Sequence, residues 1–211
     1  MTKRLICLDT ETTGFSHEYD RIIEIGCVDI TNGWEKRESF QRYINPERSV
    51  PSAAMEVHGL SQEFLKQFDP FPAHIDDFLE FIEGAILIIH NANFDISFLN
   101  AELKRYSKDP LKNEVIDTLK LAKEQFPGKK VNLNALKDYF NINIQREYHG
   151  ALLDSEILAQ IYIAMHTTQT GLELKTTQIT VSTEPSKKLL ILSQEEITEN
   201  NAIINSIKKA I

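Results

Sequence analysis

Residues 3–14 read KRLICLDTETTG, and this stretch decides the fold. Its first half, residues 3–8, is almost continuously apolar, as is typical of a central strand buried on both faces. Its second half, Leu8-Asp9-Thr10-Glu11-Thr12-Thr13-Gly14, places two acids at the end of that strand. Because side chains alternate along an extended chain, Asp9 and Glu11 project on the same side. The stretch therefore predicts a buried strand that ends in two fixed carboxylates.

A second acidic segment follows another apolar run. Residues 85–89 read AILII and lead into His90-Asn91-Ala92-Asn93-Phe94-Asp95. Asn93 is a favourable helix cap, which places Asp95 in the first turn of a helix. Taken alone, an acid in that position is better explained by its favourable interaction with the helix dipole.

The third segment is His149-Gly150-Ala151-Leu152-Leu153-Asp154. Gly150 indicates that a helix begins only after His149, so the histidine lies on the preceding loop and Asp154 in the first turns. Both side chains can then face one site. Taken alone, the histidine is better explained as a surface residue beside a helical acid, and only the three segments together favour a shared site.

The chemistry of such a site follows from its charge. Four carboxylates brought together repel one another, so they imply bound cations. Hard oxygen ligands select Mg²⁺ or Mn²⁺, and a carboxylate-held Mg²⁺ normally acts on phosphates. The three segments therefore predict metal-dependent chemistry on a phosphodiester.

The rest of the pattern predicts an α/β layered domain with a mixed sheet. Two further strands are linked by a hairpin-type turn at Gly33, which predicts that the three consecutive strands are antiparallel, and alternating helices and strands follow. The predicted strands are residues 21–30, 36–44, 85–89 and 114–116. The predicted helices begin near residue 61 and cover about 73–83, 93–106, 117–125, 133–140 and 150–165.

The amino-acid composition limits where the protein is expected to act and how it is expected to bind DNA. The 211 residues suit one domain plus an extension, with no apolar run long enough for a membrane span and no signal peptide. Cys7 and Cys27 both fall in predicted strands, and free thiols point to a reducing cytoplasm. The net charge of −8 predicts weak DNA binding by the chain alone, with metals neutralising the site and a partner holding the DNA.

The composition changes after His166. Residues 1–166 form the predicted domain, and residues 167–188, rich in Thr, Ser and Gln, form a predicted linker. Residues 189–211 combine an apolar run, a capping box and a short amphipathic helix that carries Ile197 and Ile204. This helix has no domain of its own to pack against, so it folds back on the core or docks on a partner.

The three segments match, in order and spacing, the motifs of the DnaQ-like, DEDDh-type 3′→5′ exonucleases, and the chain resembles that family over about residues 3–165. Val57-His58-Gly59-Leu60 also resembles the family's segment between the first two motifs. The resemblance implies a ribonuclease H-like fold, in which a mixed central sheet is flanked by helices and followed here by a C-terminal tail. It also implies hydrolysis at a DNA 3′ end with two divalent metal ions, Mg²⁺ or Mn²⁺.

The roles that the resemblance implies fall on five residues. Asp9, Glu11 and Asp154 would hold the metal that carries the attacking water. Asp9 would bridge to the second metal, which Asp95 would support. His149 would be the general base, a role that suits an imidazole with an intrinsic pKa near ~6.5. The residues implied to bind substrate are Thr12, Thr13, Val57, His58, Asn91 and Phe94.

The tail resembles the polymerase-binding tail of the proofreading subunits of bacterial DNA polymerase III. It implies that the catalytic (alpha) subunit is a partner, contacted through Ile197 and Ile204. Residues 169–174, with Gln169, Leu172 and Leu174, resemble a weak motif for the sliding clamp, although Leu174 stands where an aromatic residue is common. A plain linker is the equal alternative for that segment.

Two other functions stay open from the sequence. A free-standing 3′→5′ exonuclease on single-stranded DNA or RNA would use the same five residues without a polymerase partner. A mainly structural binding module of the polymerase assembly would be favoured if a catalytic position were missing, and none is.

Overall fold

A five-stranded mixed sheet organises the molecule, and its central strand is the stretch that begins at Leu5. In the computed structural model, which describes residues 3–145 and 147–173, the strand order is β3-β2-β1-β4-β5. β1 pairs antiparallel with β2 and parallel with β4, while β2–β3 is antiparallel and β4–β5 parallel. The predicted mixed sheet is therefore confirmed. The strands are β1 (Leu5–Thr12), β2 (Ile22–Asp29), β3 (Glu38–Tyr43), β4 (Ile86–Ile89) and β5 (Val115–Asp117).

Seven helices flank this sheet in the described part of the chain. They are α1 (Ser52–His58), α2 (Gln62–Leu65), α3 (Ile75–Ile82), α4 (Ala92–Arg105), α5 (Thr118–Gln125), α6 (Leu133–Tyr139) and α7 (Ala151–Glu173), with short 3₁₀ turns at Trp34–Lys36 and Phe71–His74. None of the helices described at residues 3–145 and 147–173 is long and apolar enough to cross a membrane.

The two faces of the sheet carry different cores. Ile6 and Leu8 of β1 pack with Phe78 of α3 and Phe98 of α4 on one face. Cys7 packs on the other face with a cluster that includes α7 residues. Each fully buried side chain of this size contributes about 1.5–3 kcal/mol. Packing on both faces thus fixes β1 in the centre of the domain. The site residues at the end of β1 are therefore held in fixed positions.

Both cysteines are buried in strands, as predicted, and are free thiols. Burial raises the pKa of the Cys7 thiol and of the Cys27 thiol, because the thiolate loses its solvation. They therefore serve as small apolar side chains of the core.

The face of β1 that meets α7 changes from apolar to acidic along the strand. Its cross-strand pairs with β2 are Cys7 with Val28, Asp9 with Gly26, and Glu11 with Glu24. Because alternate residues share a face, all three pairs lie under α7. The carboxylates of β1 thus begin where the apolar contact with α7 ends.

Gly26 lets the backbone of α7 lie directly on the sheet. A β-carbon at this position would lie 2.1 Å from the backbone nitrogen of Leu152 and 2.2 Å from the carbonyl carbon of Ala151. Both atoms are main chain, so α7 would have to move as a whole.

We expect the substitution Gly26→Ala to lower the free energy of unfolding by about 3 kcal/mol, because overpacking against backbone cannot be relieved by a rotamer change. Urea unfolding measures this loss. Gly150→Ala is the matched control, since a β-carbon there meets nothing closer than 3.9 Å. Equal losses in the two variants would contradict the expectation.

Three of the differences from the predicted element boundaries bear on the site and the domain end. β1 continues to Thr12, because Asp9 to Thr12 pair with β2. α4 begins at Ala92, with Asn91 in the left-handed conformation as its cap instead of Asn93. α7 extends to Glu173, as does the compact unit that contains the sheet, seven residues beyond the predicted domain end at residue 166. The rest of the predicted linker, residues 174–188, and the tail at 189–211 lie outside the described residues.

Candidate active site

The end of β1 brings two of the predicted acids together with the predicted base. Ligand atoms of Glu11, His149 and Asp154 all lie within 4.8 Å of one another. Nδ1 of His149 lies 3.1 Å from a carboxylate oxygen of Asp154. Asp9 lies two residues before Glu11 on the same face of β1. The first and third segments, which are more than 130 residues apart in sequence, thus meet at one point.

Asp95 of the second segment contacts β1 at Thr10, whose side chain projects to the face opposite that of Asp9 and Glu11. Its Oδ1 accepts hydrogen bonds from the Thr10 backbone N–H (3.0 Å) and from the Thr10 hydroxyl (2.7 Å). The residue is only 3% exposed, and burial raises the pKa of its carboxyl to about 7, although the bonds from Thr10 act in the opposite direction. A cation beside this carboxyl would favour its charged form, as a metal ligand requires.

The loop before α7 positions His149. The backbone N–H of His149 donates to the carbonyl of Val57 at 3.0 Å. The ring of the preceding Tyr148 lies against Gly59. The side chain of His149 stays 44% exposed while that of Asp154 is 4% exposed. With Nδ1 of the histidine directed at the carboxylate, its Nε2 is the basic nitrogen of that tautomer.

His58 is buried beside this loop, at 4% exposure. Its Nδ1 accepts from the Leu60 backbone N–H at 3.0 Å, while its buried Nε2 has no hydrogen-bond partner among the described residues. Burial lowers the pKa of this imidazole to about 4. It is therefore neutral at physiological pH, and Nε2 carries the proton that can be donated.

We expect His58 to make the protein less stable in mild acid. The folded pKa is below the unfolded value, so stability is full above about pH 6.5 and is lost as the pH falls toward 4. From pH 7 to pH 5 the wild type should lose about 2 kcal/mol more than His58→Gln, by urea unfolding. His166→Gln, at an exposed position of α7, should keep the wild-type difference. Equal losses in the wild type and His58→Gln would refute this assignment.

A small pocket of about 220 Å³ lies between the loop after β1 and the start of α4, the helix that carries Asp95. It contains the predicted substrate residues Asn91 and Phe94. Its other lining residues, which the sequence patterns did not single out, are Phe15, His17, Asn93, Ser97 and Phe98. Phe15 is 92% exposed, and this exposure identifies it as a candidate contact for a ligand. An aromatic side chain held open to solvent beside a polar pocket suits stacking against a base.

Thr12 and Thr13 lie at the start of the same loop, but their hydroxyls face inward. Thr12 donates to the carbonyl of Gly14 at 2.6 Å, and the Thr13 hydroxyl accepts from the Arg21 backbone N–H at 3.1 Å. Both are buried. In this arrangement the two side chains stabilise the turn.

A buried ion pair fixes the far end of this loop. Glu102 of α4 is fully buried and receives two hydrogen bonds from the guanidinium of Arg21, at 2.7 and 3.1 Å. Arg105, one turn further, donates to the backbone carbonyls of His17 and Glu18. The loop that carries Phe15 is thus anchored to the helix that carries Asp95.

The donor set fits a hard divalent cation. Two carboxylates, of Glu11 and Asp154, lie within 4.8 Å of each other, and Asp9 stands on the same face of the strand. Like charges at this separation repel, and a bound cation removes that repulsion. A second cavity of about 1070 Å³ lies elsewhere, at the opposite end of β4 around Gly84–Ile86, and contains none of the five predicted catalytic residues.

The predicted partner-binding residues lie largely beyond the described part of the chain. Gln169 and Leu172 fall within α7. Leu174, Ile197 and Ile204 lie outside the described residues.

Comparison with known proteins agrees with this geometry. Residues 6–162 match the model of the family described as Exonuclease. A protein of Rickettsia felis, named DNA polymerase III subunit epsilon, is 40% identical over 98% of this chain and 97% of its own length. The Escherichia coli protein of the same name is 37% identical over 98% of this chain and 94% of its own length.

Solved structures of nucleases share the fold. Exonuclease X in complex with 5′ overhanging duplex DNA superposes with a TM-score of 0.61 and 27% identity, covering 79% of this chain and 93% of that one. The nuclease domain of 3′hExo, a DEDDh family member bound to rAMP, superposes with a TM-score of 0.68 over 82% of this chain and 94% of that one. At 20% identity the second likeness concerns the fold alone.

The predicted resemblance to the DEDDh exonucleases and the ribonuclease H-like fold are therefore confirmed, and such a fold implies divalent metal ions. The chain belongs to the exonuclease family, among the relatives named DNA polymerase III subunit epsilon.

Proposed function

We propose that this chain removes mispaired 3′-terminal nucleotides from DNA as the proofreading exonuclease of a bacterial replicative polymerase. The observation that carries the proposal is the convergence of Glu11, His149 and Asp154 at the end of β1. This set provides carboxylates for cations and an imidazole for proton transfer within one site. Membership of the exonuclease family supports the same reaction.

We assign the catalytic roles as follows. Asp9, Glu11 and Asp154 would present oxygen ligands on the α7 face of the sheet, and Asp95 would present its carboxyl from the α4 side. Two divalent ions, Mg²⁺ or Mn²⁺, would supply an activated water and charge stabilisation on the phosphate when bound there. His149 takes a proton from the attacking water through Nε2, while Asp154 orients the ring through Nδ1.

The substrate is the 3′ end of a DNA strand. The terminal nucleotide would lie between Val57-His58 and the loop after β1, with Asn91 and Phe94 at the neighbouring pocket. A mispaired end frays more readily than a paired one, so a site that accepts unpaired nucleotides selects errors without reading sequence.

A polymerase partner would compensate for the acidity of the chain. The net charge is −8, and non-specific DNA binding depends on basic residues. If the alpha subunit binds the chain through Ile197 and Ile204, this tether would raise the effective concentration of DNA at the exonuclease site. Residues 169–174 are a second candidate contact, with the sliding clamp. The hydrolysis of replicating DNA by this protein would take place in the cytoplasm.

The deciding experiment measures release of 3′-terminal nucleotides by the full chain. The substrates are single-stranded DNA, mismatched and matched primer-templates and single-stranded RNA, each with Mg²⁺ or Mn²⁺. Faster release from the mismatched than from the matched end supports proofreading, and equal or preferred hydrolysis of RNA favours a free-standing exonuclease. A folded wild type that is inactive with either metal would refute the proposal.

The tail is tested separately. Ile197→Glu with Ile204→Glu should abolish co-purification with the alpha subunit while exonuclease activity on single-stranded DNA stays unchanged. Undiminished binding by this double variant would exclude these two residues as the contact.

A further inference from the structure

Glu24 on β2 is a buried acid that the proposed mechanism does not use. It is 2% exposed and stands directly across the strand pair from Glu11. Like charges that face each other across antiparallel strands are destabilising, and a buried carboxylate is unfavourable unless hydrogen bonds satisfy it. The position of this acid therefore requires a compensating interaction.

The compensation comes from the first turn of α7. Oε2 of Glu24 accepts the backbone N–H of Ala151, the first residue of the helix, at 3.1 Å. The first N–H groups of a helix have no partner inside it, and the helix dipole favours an anion at this end. The other oxygen, Oε1, accepts from the side-chain amide of Gln41 at 2.8 Å.

A second bond fixes the same helix one turn later. The hydroxyl of Ser155 donates to the carbonyl of Gly26 at 2.9 Å. Residues 24 and 26 are two apart on one face of β2, about 7 Å along the strand, and residues 151 and 155 are one turn apart, about 6 Å along the helix. The two spacings match, so β2 holds both the position and the direction of the start of α7.

We propose that Glu24 is a positioning residue of the exonuclease site, which acts by capping α7 from the neighbouring strand. It holds the helix start between His149, two residues before Ala151, and Asp154, three residues after it. Both groups must meet Glu11, which the sheet holds fixed. This inference rests on the proposed exonuclease function, because it concerns the same His149 and Asp154.

The expected effect of Glu24→Ala is a selective loss of turnover. A displacement of about 1 Å at reacting groups can cost about 10²-fold, so kcat on single-stranded DNA should fall about 10- to 100-fold. KM should stay within about threefold, since the proposed nucleotide contacts lie on other elements. Glu24→Gln keeps an acceptor for the Ala151 N–H and should recover most of the lost kcat.

A matched control separates positioning from loss of stability. Asp29 is a partly buried carboxylate at the other end of β2, bonded to Arg4 and Thr31. Asp29→Ala should lower the urea midpoint while leaving kcat unchanged. A loss of kcat in Glu24→Ala that Asp29→Ala matches at equal folded fraction would overturn the proposal.

A readout besides activity tests the cap directly. Hydrogen exchange of the Ala151 amide, followed by NMR, should accelerate at least tenfold in Glu24→Ala and stay slow in Glu24→Gln. A folded Glu24→Ala variant whose kcat is within twofold of the wild type, or whose Ala151 amide stays protected, would overturn the inference. An inactive wild type would refute the proposed function instead, and the exchange measurement would still decide the cap.

Discussion

Replacing Asp9 with alanine should reduce kcat by about 10³-fold or more, because a ligand that positions cations supplies several kcal/mol of charge stabilisation in the transition state. Asp9 begins the acidic part of β1, and its partner across the strands is Gly26. Gly26 has no side chain that could replace the carboxylate of Asp9. The measurement is nucleotide release from single-stranded DNA with Mg²⁺ and with Mn²⁺.

The same variant should not lose thermal stability, although it loses activity. Without metal, removing one carboxylate from a site that also holds Glu11 and Asp154 relieves repulsion, so the Tm should be unchanged or higher. With Mn²⁺, the wild type should gain Tm by ligand binding and the variant should gain little. The two effects together distinguish loss of a ligand from misfolding.

Asp76→Ala is the matched control for this prediction. The side chain of Asp76 is 87% exposed on α3 and pairs with Lys108 at 2.9 Å. It should keep wild-type kcat and the wild-type response of Tm to Mn²⁺. If Asp9→Ala keeps more than a tenth of the wild-type kcat, Asp9 is not a metal ligand of the reaction.

Replacing His149 with alanine should reduce kcat by about 10²- to 10⁴-fold, the usual contribution of a general base, with little change in KM. The folded structure should survive, because the backbone N–H that bonds to Val57 remains and the ring is partly exposed. Steady-state kinetics on single-stranded DNA give both constants.

Added imidazole provides the discriminating test for His149. A free base in solution should restore part of the activity of His149→Ala and none of that of Asp9→Ala. His166→Ala, which changes an exposed histidine on α7, should behave as the wild type. If His149→Ala keeps wild-type kcat, another group takes the proton.

The sequence predicted the mixed sheet and the meeting of Glu11 with His149 and Asp154, because local patterns place each of these groups at the end of a strand or the start of a helix. Strand alternation alone places Asp9 and Glu11 on one side, and a glycine before the helix places His149 on a loop. α1 (Ser52–His58) was not predicted, because its seven residues are too few to show a period and no side chain caps it. The extension of α7 past residue 166 was missed because its Thr- and Gln-rich sequence lacks an apolar stripe.

Long-range contacts explain what the sequence could not provide at the site. Glu24 reads as an ordinary acid in an apolar strand, and only the fold reveals that it meets Ala151, 127 residues away. Phe15 and His17 can be recognised as pocket residues only from the fold, because α4 forms the other wall of their pocket. The inward direction of the Thr12 and Thr13 hydroxyls likewise depends on a turn whose shape no motif specifies.

The change from apolar to acidic pairs along β1 has a consequence for mutational tolerance. In a scan of every substitution, positions Cys7 and Val28 should accept apolar replacements of similar size and reject charge. Positions Asp9 and Glu11 should instead show variants that accumulate to normal levels in the cell yet raise its mutation rate. Within about 7 Å along β1, substitutions should thus change from lowering the abundance of the protein to lowering the fidelity of replication. At Gly26, across from Asp9, substitutions should lower both.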